Sequence, residues 1–253
     1  MNLRARCVRF VRGICLAAPL ALPMVSTLAA QEPAKVGPVK QELEAFQKDQ
    51  AAKAPAERLK AYEEGIEQVK KSGVLGKALK VGDKAPDFEL PDASGRRIKL
   101  SALLERGPVV VTWYRGGWCP YCNIALRGFQ KVLPEIKAEG ASLVAISPQT
   151  PDNSAATVEK DALGFEVLSD KGNKAAHAFG VAYKLPAVVI EQFKGRVDLS
   201  KYKGDSSNEL PLGATYVIDQ QGVIRYAFVD GDYRKRAEPS AVVAALRGLK
   251  QAR

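Results

Sequence analysis

The feature that most narrows the fold is a pair of cysteines, Cys119 and Cys122, set directly behind a run of β-branched and aromatic residues. Val109-Val110-Val111-Thr112-Trp113 lacks polar alternation, which is the pattern of a central strand buried on both faces. Tyr114-Arg115-Gly116-Gly117-Trp118 follows, and Cys119-Pro120-Tyr121-Cys122 opens a helix predicted from Pro120 towards Lys137. Leu126, Phe129 and Leu133 lie on its inner face, and Pro134 is expected to bend it. A cysteine in front of a helix meets unpaired N–H groups and the positive end of the dipole, which favour the thiolate. Proline suits the first turn because it needs no N–H partner. The second cysteine sits one turn along, within disulfide reach. Cysteines this close staple almost no loop, so a redox role outweighs a structural one.

The order of elements around this junction sets the class. Upstream, Pro86–Leu90 and Ile98–Leu100 read as short strands around the turn 92–95, and Ser101 caps a short helix through Leu104. Downstream, strand 143–147, helix 153–162, strand 165–168 and helix 173–179 alternate. A hairpin of strands 214–218 and 223–229 about Asp219-Gln220-Gln221-Gly222 then leads to an amphipathic helix, 239–250. Alternating strands and helices closed by a hairpin give an α/β fold with a mixed central sheet. Residues 31–80 read as a helical N-terminal extension. In it Leu59, Tyr62, Ile66 and Val69 share one helix face, expected to pack on the main domain, with a homodimer contact as the alternative. Residues 184–211 show little pattern and are read as a connection covering the cysteine site, with a surface insertion as the alternative.

Residues 1–12 are Arg-rich, 13–25 are apolar or small, and Ser26–Gln31 offers a cleavage site near Ala29 or Ala30, the layout of an export signal over residues 1–30. Its apolar run is short and interrupted by Pro19 and Pro23, which argues against a lasting membrane span. The protein is therefore expected in the periplasm or secreted. Cleavage would remove Cys7 and Cys15, leaving Cys119 and Cys122. Of the formal net charge of +10, Arg4, Arg6, Arg9 and Arg12 lie in this leader. The remaining basic residues are interspersed with acids, which argues against a nucleic-acid partner. Asp230, Asp232, Arg234 and Arg236 read as a solvated salt-bridge patch, with a role near the cysteines as the alternative. With a single histidine, His177, a structural zinc site lacks ligands. A copper carrier using Cys119, Cys122 and His177 stays open as a rival. No cofactor is expected.

From about Val81 to the C-terminus the chain resembles the peroxiredoxins of the alkyl-hydroperoxide-reductase and thiol-specific-antioxidant superfamily, which have a thioredoxin-like fold. The resemblance rests on Val81-Gly82-Asp83-Lys84-Ala85-Pro86-Asp87-Phe88-Glu89-Leu90, Ser169-Asp170, Ala178-Phe179-Gly180-Val181 and Tyr216–Ile224, in family order. It sets the domain at 81–253 and implies a peroxidase that takes a hydroperoxide and an external dithiol reductant of thioredoxin type. Laid on the family motif, Tyr114 matches the tyrosine and Cys122 the peroxidatic cysteine, with Cys119 as resolving partner. Arg115 stands where the family has proline and Cys119 where it has threonine. Gly213 stands near the place of the arginine that, with the threonine, binds peroxide and stabilises the thiolate. Arg115, Arg127 and Trp118 are the candidate supporting residues. The Trp-Cys-Pro-Tyr-Cys core also resembles thioredoxins, which would make Cys119 the attacking sulfur of a disulfide oxidoreductase. There, however, Trp113 replaces a buried aspartate and Gly213 a cis-proline, and the glycine is expected to leave a wider cleft.

Overall fold

A computed structural model describes residues 37–251; the predicted export signal lies outside them. In chain order the elements are α1 (Pro38–Lys53), α2 (Ala56–Lys71), α3 (Val74–Lys77), β1 (Glu89–Pro91), β2 (Arg97–Lys99), α4 (Leu100–Leu104), β3 (Val109–Trp113), α5 (Pro120–Ala138), β4 (Ser142–Ser147), α6 (Pro151–Asp161) and β5 (Glu166–Ser169). They continue with α7 (Lys174–Ala178), β6 (Ala182–Lys184), α8 (Ala187–Phe193), α9 (Leu199–Lys203), β7 (Glu209–Pro211), β8 (Gly213–Ile218), β9 (Ile224–Asp230) and α10 (Pro239–Gln251).

The central sheet runs β5-β4-β3-β8-β9. β4 lies parallel to β3 and β5, while β8 runs antiparallel to β3 and β9, so the sheet is mixed, the thioredoxin-like arrangement the resemblance implies. Every residue of β3 is buried, as its unbroken apolar run requires. Val109, Val111 and Trp113 join the core under α4, α7 and α8; Val110 joins the core under α5 and α10. Trp113 packs against Phe179 and Tyr216, with ring centroids 4.7 and 5.9 Å away. Trp113→Ala is expected to lower the unfolding free energy by about 3–5 kcal/mol in a urea titration, the usual cost of emptying a buried aromatic site.

One sequence expectation changes. Residues 184–211 are not a patternless connection: they fold into α8, α9 and β7, and β7 pairs with β6. These elements are short, and their burial comes from distant partners, so no helical or strand period is long enough to show. The N-terminal helices are packed, α1 on α5 and α2 on α8. Ile66 and Val69 of the expected face are buried and Leu59 and Tyr62 half-buried. Gly65 admits the approach of α8, since a Cβ there would stand 2.2 Å from a Val189 methyl. No helix among the described residues is long and apolar enough to cross a membrane.

Candidate active site

β3 delivers the chain into the loop 114–118, and α5 begins one residue later. Cys119 holds the N-cap in extended conformation and Pro120 is the first helical residue. The loop is fixed from several sides. Tyr114 N–H donates to the Ile146 carbonyl (2.9 Å), Gly117 N–H to Gln149 Oε1 (2.6 Å), and Asn123 Nδ2 to the Gly117 carbonyl (2.9 Å). Gln149 is itself buried and held by the Asn153 carbonyl (3.0 Å). Gly116 has φ +151°, and a Cβ there would lie 2.3 Å from Trp118 Nε1, so this turn needs glycine.

Both cysteines are free thiols in the structure, Cys119 2% exposed and Cys122 0%. Cys122 Sγ accepts from Arg236 Nη2 at 3.1 Å and from the Arg115 N–H at 3.4 Å. Burial alone would push Cys122 up. The Cys119 thiol's hydrogen bond, the Arg236 and Arg115 guanidiniums and the Arg115 N–H outweigh it and hold Cys122 well below the ordinary thiol range. Cys119 goes the other way: burial first, then its bond to Cys122 and the charge of Cys122, keep it protonated well above that range. The surroundings of the pair thus favour the negative charge on Cys122 and the proton on Cys119.

Arg236 was not singled out for this role by the sequence. It follows β9, and its Nη1 donates to the backbone carbonyls of Tyr233 and Lys235, which fixes the guanidinium. It reaches Cys122 because Gly213 has no side chain: a Cβ at 213 would lie 2.7 Å from Nη1 and 3.1 Å from Cζ. The wider cleft expected at Gly213 is thus filled by a guanidinium from elsewhere in the chain. The patch 230–236 is also not the solvated cluster expected. Asp232 is buried, and Arg234 binds both Asp232 (2.8 Å) and Glu63 of α2. The pattern Asp-x-Arg-x-Arg after a terminal hairpin was visible, but nothing local in it tells a buried guanidinium from a surface one.

The other candidates divide. Tyr114 is buried beside the cysteines, and burial drives its phenol above the usual range. Arg115 is buried too, its guanidinium carbon 4.9 Å from the Trp118 ring, 5.9 Å from Phe193 and 4.4 Å from Tyr233. Trp118 stacks edge-on against Phe193 of α8 with centroids 5.4 Å apart. Arg127 does not belong to the site. It pairs with Asp161 (3.0 Å) and Glu42 (3.4 Å), because five residues past Cys122 turn about 140° around the helix. His177 is exposed and bonds Glu209 (2.9 Å), and no group of three or more His, Cys, Asp or Glu fit to hold a metal occurs among the described residues. The copper set of Cys119, Cys122 and His177 is thus not assembled.

A mixed thioredoxin-like sheet with an ionised cysteine and its thiol partner at the start of α5 defines a dithiol protein of the thioredoxin-fold class. Comparison with known proteins narrows this: the AhpC/TSA family matches residues 81–227, and the chain belongs to that family. It is 30% identical over 177 residues to "Peroxiredoxin Q, chloroplastic" of Triticum aestivum, covering 70% of this chain and 68% of that one. It is 33% identical over 103 residues to "Peroxiredoxin Bcp" of Escherichia coli (strain K12), covering 41% of this chain and 65% of that protein. The rice "Putative peroxiredoxin Q, chloroplastic" (Oryza sativa subsp. indica) is 33% identical over 155 residues, 61% of each chain. The match thus spans less than two thirds of the length of the last two. Among solved structures, Peroxidoxin BcpB from Mycobacterium tuberculosis superposes with a TM-score of 0.54 at 27% identity, over 68% of this chain and 98% of that one.

Proposed function

We propose that this chain is a thiol-dependent peroxidase that reduces hydrogen peroxide or organic hydroperoxides through a Cys119/Cys122 dithiol–disulfide cycle. The observation that carries this reading is the buried Cys122 sulfur, which accepts from Arg236 Nη2 at 3.1 Å and from the Arg115 N–H at 3.4 Å. Two of the three departures from the family motif, those at Cys119 and Gly213, are made good in space. The Cys119 thiol, at the threonine position, helps hold Cys122 below the ordinary thiol range. The Arg236 guanidinium occupies the volume that glycine leaves at 213.

The cycle follows from these groups. The Cys122 thiolate attacks the terminal peroxide oxygen, the O–O bond breaks, and the sulfur becomes a sulfenic acid. The Cys119 thiol gives its proton to the departing alkoxide, which leaves as an alcohol, or as water from hydrogen peroxide. The Cys119 thiolate then attacks Cys122, expels hydroxide and closes the disulfide. An external dithiol reductant restores both thiols by exchange. The thioredoxin-type alternative needs Cys119 as the attacking thiolate, and burial together with its bond to Cys122 holds Cys119 protonated. The same reading takes residues 1–30 as an export signal, which would place the cycle in the periplasm or outside the cell.

The test is one equivalent of hydrogen peroxide added to the reduced protein, with dimedone trapping and peptide mapping. A Cys122 adduct in the Cys119→Ser variant, and a Cys119–Cys122 disulfide in the unaltered protein, are expected. Unconsumed peroxide with no adduct would end the reading.

A further inference from the structure

Beside the cysteine pair lies a cavity of about 350 Å3 whose walls come from α1, α2, α8, the start of α5 and the segment after β9. Cys119 lines it; Cys122 does not. Phe46, Tyr121, Phe193 and Tyr233 give it an aromatic interior, and Arg58, Arg115, Arg196 and Arg234 face it against a single carboxylate, Glu63. Arg234 already binds that carboxylate. Arg58, Arg115 and Arg196 form no ion pair with a carboxylate among the described residues.

Arg115 is the telling member. It is 3% exposed, its guanidinium is enclosed by three aromatic rings of the cavity, and its Nε has no hydrogen-bond partner among the described residues. A buried cation without a counter-ion is costly. Its negative neighbour is the Cys122 thiolate, and Arg236 shares that one charge. Disulfide formation then removes the thiolate and leaves the buried Arg115 and the half-buried Arg236 facing no anion. The cavity is short of negative charge in the reduced protein and shorter still in the oxidised one.

We propose that this cavity binds a small amphipathic thiol carrying a carboxylate, which reduces the Cys119–Cys122 disulfide by attack at Cys119. The proposal rests on the dithiol–disulfide reading above. The incoming thiolate sulfur bonds to Cys119 Sγ as the Cys119–Cys122 bond breaks. The electron pair passes to Cys122, which leaves as a thiolate beside Arg236. A second thiolate attacks the bound thiol's sulfur, so that two thiols are oxidised to a free disulfide and Cys119 leaves and takes a proton from water. Cys122, the more acidic sulfur, is the better leaving group, which favours this direction. The carboxylate supplies the charge that Arg115 lacks, and the apolar body fills the aromatic walls.

The disulfide is made with diamide, so that the test is independent of peroxide chemistry. Reduction is then followed with 3-mercaptopropionate, 2-mercaptoethanol and cysteamine, which are similar in size but anionic, neutral and cationic. Per thiolate, the anion is expected to react at least tenfold faster than the cation, with saturation, and with the mixed disulfide mapped to Cys119. 3-Phenylpropionate, which has no thiol, should block it competitively and bind the oxidised protein more tightly than the reduced one. Arg115→Met should collapse the charge series, and Arg196→Gln at the rim should weaken it while leaving the buried cluster in place. Equal rates for the three thiols, no competition by 3-phenylpropionate, or an adduct on Cys122 would overturn the proposal. Reduction by a protein dithiol alone would do the same. If the diamide disulfide forms but charge makes no difference, only this inference fails. If peroxide yields no sulfenic acid, the peroxidase reading fails instead.

Discussion

Cys122→Ser is expected to reduce hydroperoxide consumption to the rate of buffer alone, whereas Cys119→Ser should still consume one equivalent and stop at the sulfenic acid. The asymmetry comes from the site: Cys122 alone receives the Arg236 and Arg115 donors, and Cys119 donates to it. Serine at 122 retains an oxygen that is not ionised near neutral pH. A peroxide assay over single and multiple turnovers reads both outcomes, and turnover surviving in Cys122→Ser would refute the assignment. The same ionisation fixes a pH dependence. The folded pKa of Cys122 lies well below the free-thiol value of about 8.5. The single-turnover rate should therefore hold steady as pH is lowered through 8.5 and fall only once Cys122 itself takes a proton. A group with a lowered folded pKa adds stability above its unfolded value, and that contribution is lost as pH falls through the folded one. Urea titrations of the reduced protein should show this loss as pH falls below about 8.5, while above it Cys119, raised in the fold, acts with the opposite sign; the oxidised protein, which has neither thiol, should show neither trend.

Arg236→Met is expected to slow the peroxide reaction at neutral pH by about 10- to 100-fold, the equivalent of one hydrogen bond to a charged group at about 1.5–3 kcal/mol. Ultraviolet absorbance of the thiolate should show the Cys122 titration moving up towards the ordinary thiol range. Gly213→Ala reaches the same result from the other side. Its new Cβ would lie 2.7 Å from Arg236 Nη1, so the guanidinium must shift away from Cys122. Parallel losses in the two variants, with the fold intact by circular dichroism, support one shared site. A normal rate in Arg236→Met would show that Arg115 and the helix start suffice to ionise Cys122.

How far this site could be read from the chain depends on how local each cause is. β3 and α5 were legible because an apolar run and a helical period are repeated within a few residues, and the cysteine pair sits where they meet. Arg127 was misplaced because nearness in sequence says nothing about the side of a helix. Arg236 could not be picked out of its charged cluster because its contact with Cys122 spans 114 residues, and only the folded hairpin β8–β9 brings the two together. α8 and α9 carried too few turns to show a period, although Val189 and Phe193 wall the cavity at Cys119. Gly213 was noticed as a departure from two families, but its meaning, room for a neighbour's guanidinium, needs the third dimension.

The position of Arg236 late in the chain has a consequence for biosynthesis. A ribosome releases Cys119 and Cys122 long before it reaches the residue that ionises one of them. Until α10 and the segment before it emerge, the nascent pair resembles two ordinary thiols, slow towards oxidants. Reactivity is thus expected to rise only once residue 236 has been made and folded against Cys122, and a product truncated before that residue should be chemically quieter although it retains both sulfurs.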